Sequence, residues 1–243
     1  MAPLPARRGV DGDGQRTVAP GPTDKRSARL HIVHLVGFAG VAAFVVALAA
    51  LSGLGNLNPA QHTVSEYSLG RYGWTMRAAF AALGLGALAT AAGLRFTFEP
   101  SPWRSVGHLM LVGTAVGLFL DAWFNTDHLG VAETFDGAVH GDGMLIVCLT
   151  LPASACILGA DFLRLFHSSR ARWLVALGPL QAVAIIGFEV SPTDYRGVAE
   201  RIAIAMGVAT LALVQSFAHA SARFPGGAGE DLSRSPELDG QLR

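Results

Sequence analysis

Carboxylates and imidazoles crowd into the stretch Phe124–Asp142, which separates two apolar runs. It holds four acids (Asp127, Glu133, Asp136, Asp142) and two histidines (His128, His140). Such side chains accept hydrogen bonds, exchange protons or ligate metal. Part of the stretch recurs: Thr126-Asp127-His128-Leu129-Gly130-Val131-Ala132-Glu133 is echoed by Thr193-Asp194-Tyr195-Arg196-Gly197-Val198-Ala199-Glu200, with six of eight positions identical. Thr and Asp oxygens accept from the free N–H groups of a turn or helix start, and a following Gly supplies positive φ. The two copies therefore read either as turn-and-cap segments or as repeated carboxylates facing one polar cavity.

His140 lies just inside an apolar run, one helical turn beyond Asp136 and on the same face. A polar group at that depth faces protein, a cavity or water at the membrane surface. Asp121, Asn125 and His128 stand at i, i+4 and i+7 and would form one stripe on a helix extending that far. With Asp127 and His140 they make an oxygen-and-nitrogen donor set suited to a divalent metal, though no H-E-x-x-H occurs. In a metal-assisted lipid hydrolase, Asp127 and His140 would be ligands and Glu66 the base that activates bound water.

Glu200-Arg201 reads as a surface pair at a helix start, with the acid favoured by the dipole and the Arg snorkelling. Alternatively it is an anion or headgroup clamp, with Arg71 or Arg77 as a second arm. The candidate pocket is thus Glu66, Asp127, His140, Asp194, Glu200 and Arg201. Its acids and imidazole would supply acceptors or proton exchange, and Arg201 would hold an anionic group or neutralise Glu200. His31, His34, His108, His167 and His219 map to the opposite helix ends. A pair such as His34 and His108 is a conceivable haem ligand set, but nothing fixes their spacing. G-x-S-x-G and phosphate-loop signatures are absent.

The elements that must position these groups are membrane spans. Hydrophobic residues make up 51% of the 243 and charged residues only 15%, against about a quarter charged in soluble domains. The apolar residues come in six runs, near 30–54, 74–94, 106–124, 137–160, 173–190 and 202–220. Each approaches the ~20 residues needed to cross a ~30 Å hydrocarbon core. The expected fold is all-α, six transmembrane helices in three hairpins. Residues 1–29 and 221–243, rich in Pro, Gly and charge, read as disordered tails. No basic patch outside the termini and short loops supports nucleic-acid binding; membrane lipids are the expected partners.

Orientation follows from Lys and Arg. The N-terminal tail (Arg7, Arg8, Arg16, Lys25, Arg26, Arg29), Arg95, Arg104, Arg164, Arg170, Arg172 and the C-terminal Arg223, Arg234 and Arg243 fall on one side. Arg71, Arg77, Arg196 and Arg201 fall on the other. This predicts a multi-pass plasma-membrane protein with both termini cytoplasmic and the acids facing outward. Gly113-x-x-x-Gly117 and Gly137-x-x-x-Gly141 are compatible with a tight hairpin of the third and fourth spans. Cys148 and Cys156, ~12 Å apart along one helix, read as packing residues.

The run Ser65-Glu66-Tyr67-Ser68-Leu69-Gly70-Arg71-Tyr72-Gly73-Trp74, then Phe124-Asn125-Thr126-Asp127, His140 and Gly197-Val198-Ala199-Glu200-Arg201 resemble the bacterial membrane proteins of the domain-of-unknown-function 998 (DUF998) family. The resemblance covers residues 30–220 or so and implies a six-span integral membrane protein. The chain is more remotely similar to ceramidase-like membrane hydrolases, whose metal site uses Ser, Asp and several His; Ser65, Asp127 and His140 are present, but a late-helix His pair is not. Three functions stay open: binding or transport of a lipid headgroup, small solute or cation; metal-dependent lipid hydrolysis; and a structural or partner-binding role.

Overall fold

Apolar runs of this length leave the backbone no partner in lipid but itself, so each must close as a helix. The computed structural model describes residues 22–54, 57–128 and 130–223. Among the described residues it contains six α-helices and no strand: α1 (Pro22–Leu54), α2 (Gly73–Thr97), α3 (Pro102–Trp123), α4 (Phe135–Phe166), α5 (Ser169–Glu189) and α6 (Arg196–Arg223). All six are long and apolar enough to cross a membrane. Several starts carry side-chain caps. Ser101 Oγ accepts from Arg104 N at 3.1 Å, Thr134 Oγ1 from Gly137 N at 3.1 Å and Ser168 Oγ from Ala171 N at 3.3 Å.

Helix ends differ from the apolar runs where polar residues prolong the helix. α1 begins at Pro22, inside the segment read as a disordered tail. Pro has no N–H to lose in the first turn. Residues 1–21 and 224–243, covered by the tail readings, lie outside the described residues.

Consecutive helices pack side by side, and α6 closes the ring against α1 and α2. The two ends of the bundle are unlike. At one end the links are short, 98–101 between α2 and α3 and 167–168 between α4 and α5. At the other lie the wide connections: 57–72 with a 3-10 turn at Ser65–Leu69, 124–134, and 190–195 with a 3-10 turn at Thr193–Tyr195. The result is three hairpins pointing the same way, their loops gathered at the end that carries the acids.

The α3–α4 hairpin is tight, but its contact pair is not the one suggested by spacing. A Cβ on Gly117 would lie 2.5 Å from the Gly143 carbonyl, and one on Gly143 would lie 2.9 Å from the Gly117 carbonyl and 2.5 Å from Asp121 Oδ1. Gly113 is less crowded, with Thr150 Cγ2 at 3.1 Å, and Gly141 faces open space. Gly137 meets the Asp127 carboxylate rather than α3. Thr114 and Thr150 add a hydrogen bond between the two helices at 2.8 Å. Gly143→Leu is therefore expected to cost at least ~1–3 kcal/mol through overpacking, seen as a lower thermal midpoint in detergent. Gly141→Ala should leave the midpoint unchanged or slightly raised.

Candidate functional site

The 57–72 connection is long and polar, and its backbone needs partners where little water is available. α6 supplies them. Arg201 Nη1 donates to the carbonyls of Pro59 (2.7 Å), His62 (3.0 Å) and its own helix at Gly197 (2.9 Å). Its Nη2 donates to the Tyr67 hydroxyl at 3.2 Å, with the guanidinium 5.5 Å from that ring's centre. The Val64 N–H donates to Glu200 Oε2, and the Val198 N–H to the Ala60 carbonyl at 3.3 Å. Gly197 is needed here, because a Cβ would come within 2.4 Å of both the Pro59 and His62 carbonyls. Glu66 closes the loop on itself, accepting from Thr63 N at 2.9 Å and His62 Nδ1 at 3.1 Å.

Held this way, the 3-10 turn at Ser65–Leu69 meets α4. His140 is 3% exposed and its Nε2 lies 3.0 Å from Ser65 Oγ. Its Nδ1 lies 3.1 Å from the Phe124 carbonyl oxygen and 3.8 Å from Asp121 Oδ1. Both of those neighbours are acceptors, which assigns the ring proton to Nδ1 and leaves Nε2 to accept from the Ser65 hydroxyl. Asp121 is fully buried, and neither carboxylate oxygen makes a hydrogen bond. Gly143 opposite leaves the room it occupies.

A cleft of about 640 Å³ opens beside this cluster. Ser65, Glu66, Asp127, His140, Glu189, Arg196 and Glu200 form its polar wall. Leu145 and Leu149 of α4 and Ile186 of α5 form its rim, and all are more than half exposed. Met144, Cys148, Ile185, Phe188 and Glu200 are shared with a narrow apolar slot of about 70 Å³ inside the bundle, lined by residues of all six helices. Arg196 stacks over the Phe188 ring at 4.9 Å, and its Nε makes no hydrogen bond. The polar mouth and the apolar slot are two spaces with these five residues in common: Met144, Cys148, Ile185, Phe188 and Glu200.

Of the residues singled out by type and spacing, Glu66, Asp127, His140 and Glu200 line the cleft. Asp127 does so while closing its own loop, accepting from Thr134 N at 2.8 Å and Thr134 Oγ1 at 2.9 Å. Asp194 is exposed and accepts from Gln61 Nε2 at 3.2 Å, away from the lining residues. Arg201 is partly exposed and directs its guanidinium to the loop carbonyls and the Tyr67 hydroxyl. The Asp121–Asn125–His128 stripe does not form, because α3 stops at Trp123 and an extended Phe124 turns the chain away. The sequence repeat also splits. Its first copy stays a loop with Gly130 at φ +82°, while the shorter second connection puts Gly197 to Glu200 inside α6.

Among the described residues, no three His, Cys, Asp or Glu side chains converge as a metal-holding group. At the short-link end His34 bonds Gln215 and packs edge-on to His219, while His108 bonds the Ala91 carbonyl. Glu189 and Arg196 were not expected in the wall, and the Ser65–His140 bond joins positions 75 residues apart, which no local motif announces. Asp121 did carry a signal, as an acid within an apolar run.

Glu200→Ala leaves the buried Val64 N–H without an acceptor and is expected to destabilise the protein by about 1–3 kcal/mol. Glu200→Gln keeps an oxygen there and should cost much less. Thermal unfolding of the two variants side by side reads the difference.

The sequence was compared with known proteins and families. A family model described as "Protein of unknown function (DUF998)" matches residues 35–216. No curated protein matches the chain, and no solved structure does. The match takes in nearly all of the six-helix bundle, including the 57–72 loop, His140 and the start of α6, and the chain belongs to the DUF998 family.

Proposed function

We propose that the protein binds a membrane lipid, with the headgroup in the polar cleft and its hydrocarbon chains against the exposed apolar rim of α4 and α5. The observation that carries this is the pairing of a polar wall with an apolar rim that is more than half exposed. A small solute or a cation would use the mouth alone. The exposed rim of Leu145, Leu149 and Ile186 supports a side entrance between α4 and α5 for a lipid from the bilayer. The wall is dominated by acceptors, with Arg196 as the cation among its described residues. It suits a headgroup rich in donors, such as ammonium or sugar hydroxyls, with Arg196 free to meet a phosphate.

The asymmetry of Lys and Arg assigns the termini and short links to the cytoplasm, so the cleft takes its lipid from the outer leaflet of the plasma membrane. Single-cysteine variants at His128 and at Arg170, made with Cys148 and Cys156 replaced, test this. An impermeant thiol reagent added to intact cells should modify the first and spare the second; the reverse pattern overturns the orientation.

Native mass spectrometry of gently extracted protein tests the binding itself. The parent should carry one stoichiometric lipid. Cys148→Phe, which narrows the cleft, should lower its occupancy about tenfold at an unchanged thermal midpoint. A bare mass for folded parent protein would overturn the reading.

A further inference from the structure

We propose that Ser65, His140 and Asp121 form a nucleophilic relay that transfers or hydrolyses an acyl ester of the bound lipid. This rests on the lipid-binding reading above and adds a reaction to it. Three chain segments far apart in sequence supply the three groups. Ser65 comes from the loop held by α6, His140 from the second turn of α4, and Asp121 from the last turn of α3. The directions of the bonds suit the task. The Phe124 carbonyl and Asp121 hold the proton on Nδ1, so the lone pair of Nε2 points at the Ser65 hydroxyl 3.0 Å away. This is the arrangement in which an imidazole can take a hydroxyl proton as the oxygen attacks.

A purely structural Ser–His bridge would account for Ser65 and His140 but not for Asp121. A fully buried carboxylate with no hydrogen bond on either oxygen costs stability. The nearby N–H at 3.8 Å is that of His140 Nδ1. As positive charge develops on the imidazole, the Asp121 carboxylate stabilises it, which is a return the resting state does not show. Asp121 is thus a positioning residue, acting through His140. Ser65 and His140 both line the cleft, so a lipid seated there presents its ester within reach of the hydroxyl.

The steps balance without a metal or redox partner. Ser65 Oγ bonds to the ester carbonyl carbon while its proton passes to His140 Nε2. The tetrahedral intermediate collapses with cleavage of the carbon–alkoxy bond, and the leaving alcohol takes the proton from Nε2. Water entering the cleft, or the hydroxyl of a second lipid, then attacks the acyl-Ser65 carbonyl. It gives its proton to Nε2; the bond from the acyl carbon to Oγ then breaks, Nε2 returns the proton to Oγ, and the fatty acid or a new ester leaves. No G-x-S-x-G segment is involved, since Ser65 is presented by a 3-10 turn rather than by a strand-to-helix elbow.

The test uses the full chain in mild detergent, treated with a long-chain alkyl fluorophosphonate, whose phosphorus takes a nucleophilic serine oxygen with loss of fluoride. Intact mass and peptide mapping should show a single adduct on Ser65, absent from Ser65→Ala. His140→Gln should react about 100-fold more slowly, the loss typical of a removed general base. With a p-nitrophenyl acyl ester, Asp121→Asn should lower kcat at unchanged KM and at a thermal midpoint no lower than the parent's. Absence of an adduct on Ser65 of the parent, or an unchanged rate in folded His140→Gln, overturns the relay whether or not lipid is bound. The lipid carried by Ser65→Ala in the native mass spectrum reports separately on the binding reading.

Discussion

The backbone of the 57–72 connection must find hydrogen-bond partners at the edge of an apolar bundle, and the first turns of α6 provide them. Arg201 alone spans two loop carbonyls and the Tyr67 hydroxyl, while Glu200 takes the Val64 N–H. A planar fork with several donors can do this where an ammonium cannot. The two residues therefore act together on the loop: one satisfies carbonyls, the other a donor. Everything at the acid-rich end follows from this attachment. It holds Ser65 against α4, aims Glu66 and Glu200 into the cleft, and joins the first hairpin to the third.

A second constraint lies between α3 and α4. Gly117 and Gly143 allow the helices to approach until a fully buried Asp121 lies 3.8 Å from the His140 ring nitrogen. Any side chain at Gly143 would occupy the carboxylate's own space. The close crossing and the polar cluster are consequently one feature. Polar groups inside an apolar bundle are costly unless they find partners, and here His140 has partners on both nitrogens while Asp121 does not. That imbalance, set beside a cleft, is the feature on which the proposed relay rests.

The cleft itself owes its form to α5, which leaves a seam against α4 that is polar at the loop end and apolar below. Arg196 stacked on Phe188 and Glu189 at the end of α5 complete the wall from the third hairpin. All three hairpins thus contribute to one space, as repeated loops at one end of a bundle are able to do. The repeated eight-residue segment does not contribute by symmetry, because the α5–α6 connection is shorter than the α3–α4 connection. Identical letters fall in a loop in one case and in a helix in the other.

What the sequence by itself determined was the number of helices, their membrane character and the pairing into hairpins. Length and hydropathy are enough for that, since lipid permits no alternative to the closed helix. It also marked Glu66, Asp127, His140 and Glu200, because polar residues next to apolar runs are rare enough to notice. The tertiary structure decided which way those side chains face. Arg201 and Asp194 looked like pocket residues by type, yet loop backbone and Gln61 occupy them. Ser65 and His140 are 75 positions apart and meet only because α6 pins the loop between them. Helical periodicity places residues on a face of their own helix; it carries no information about which loop will be folded over that face.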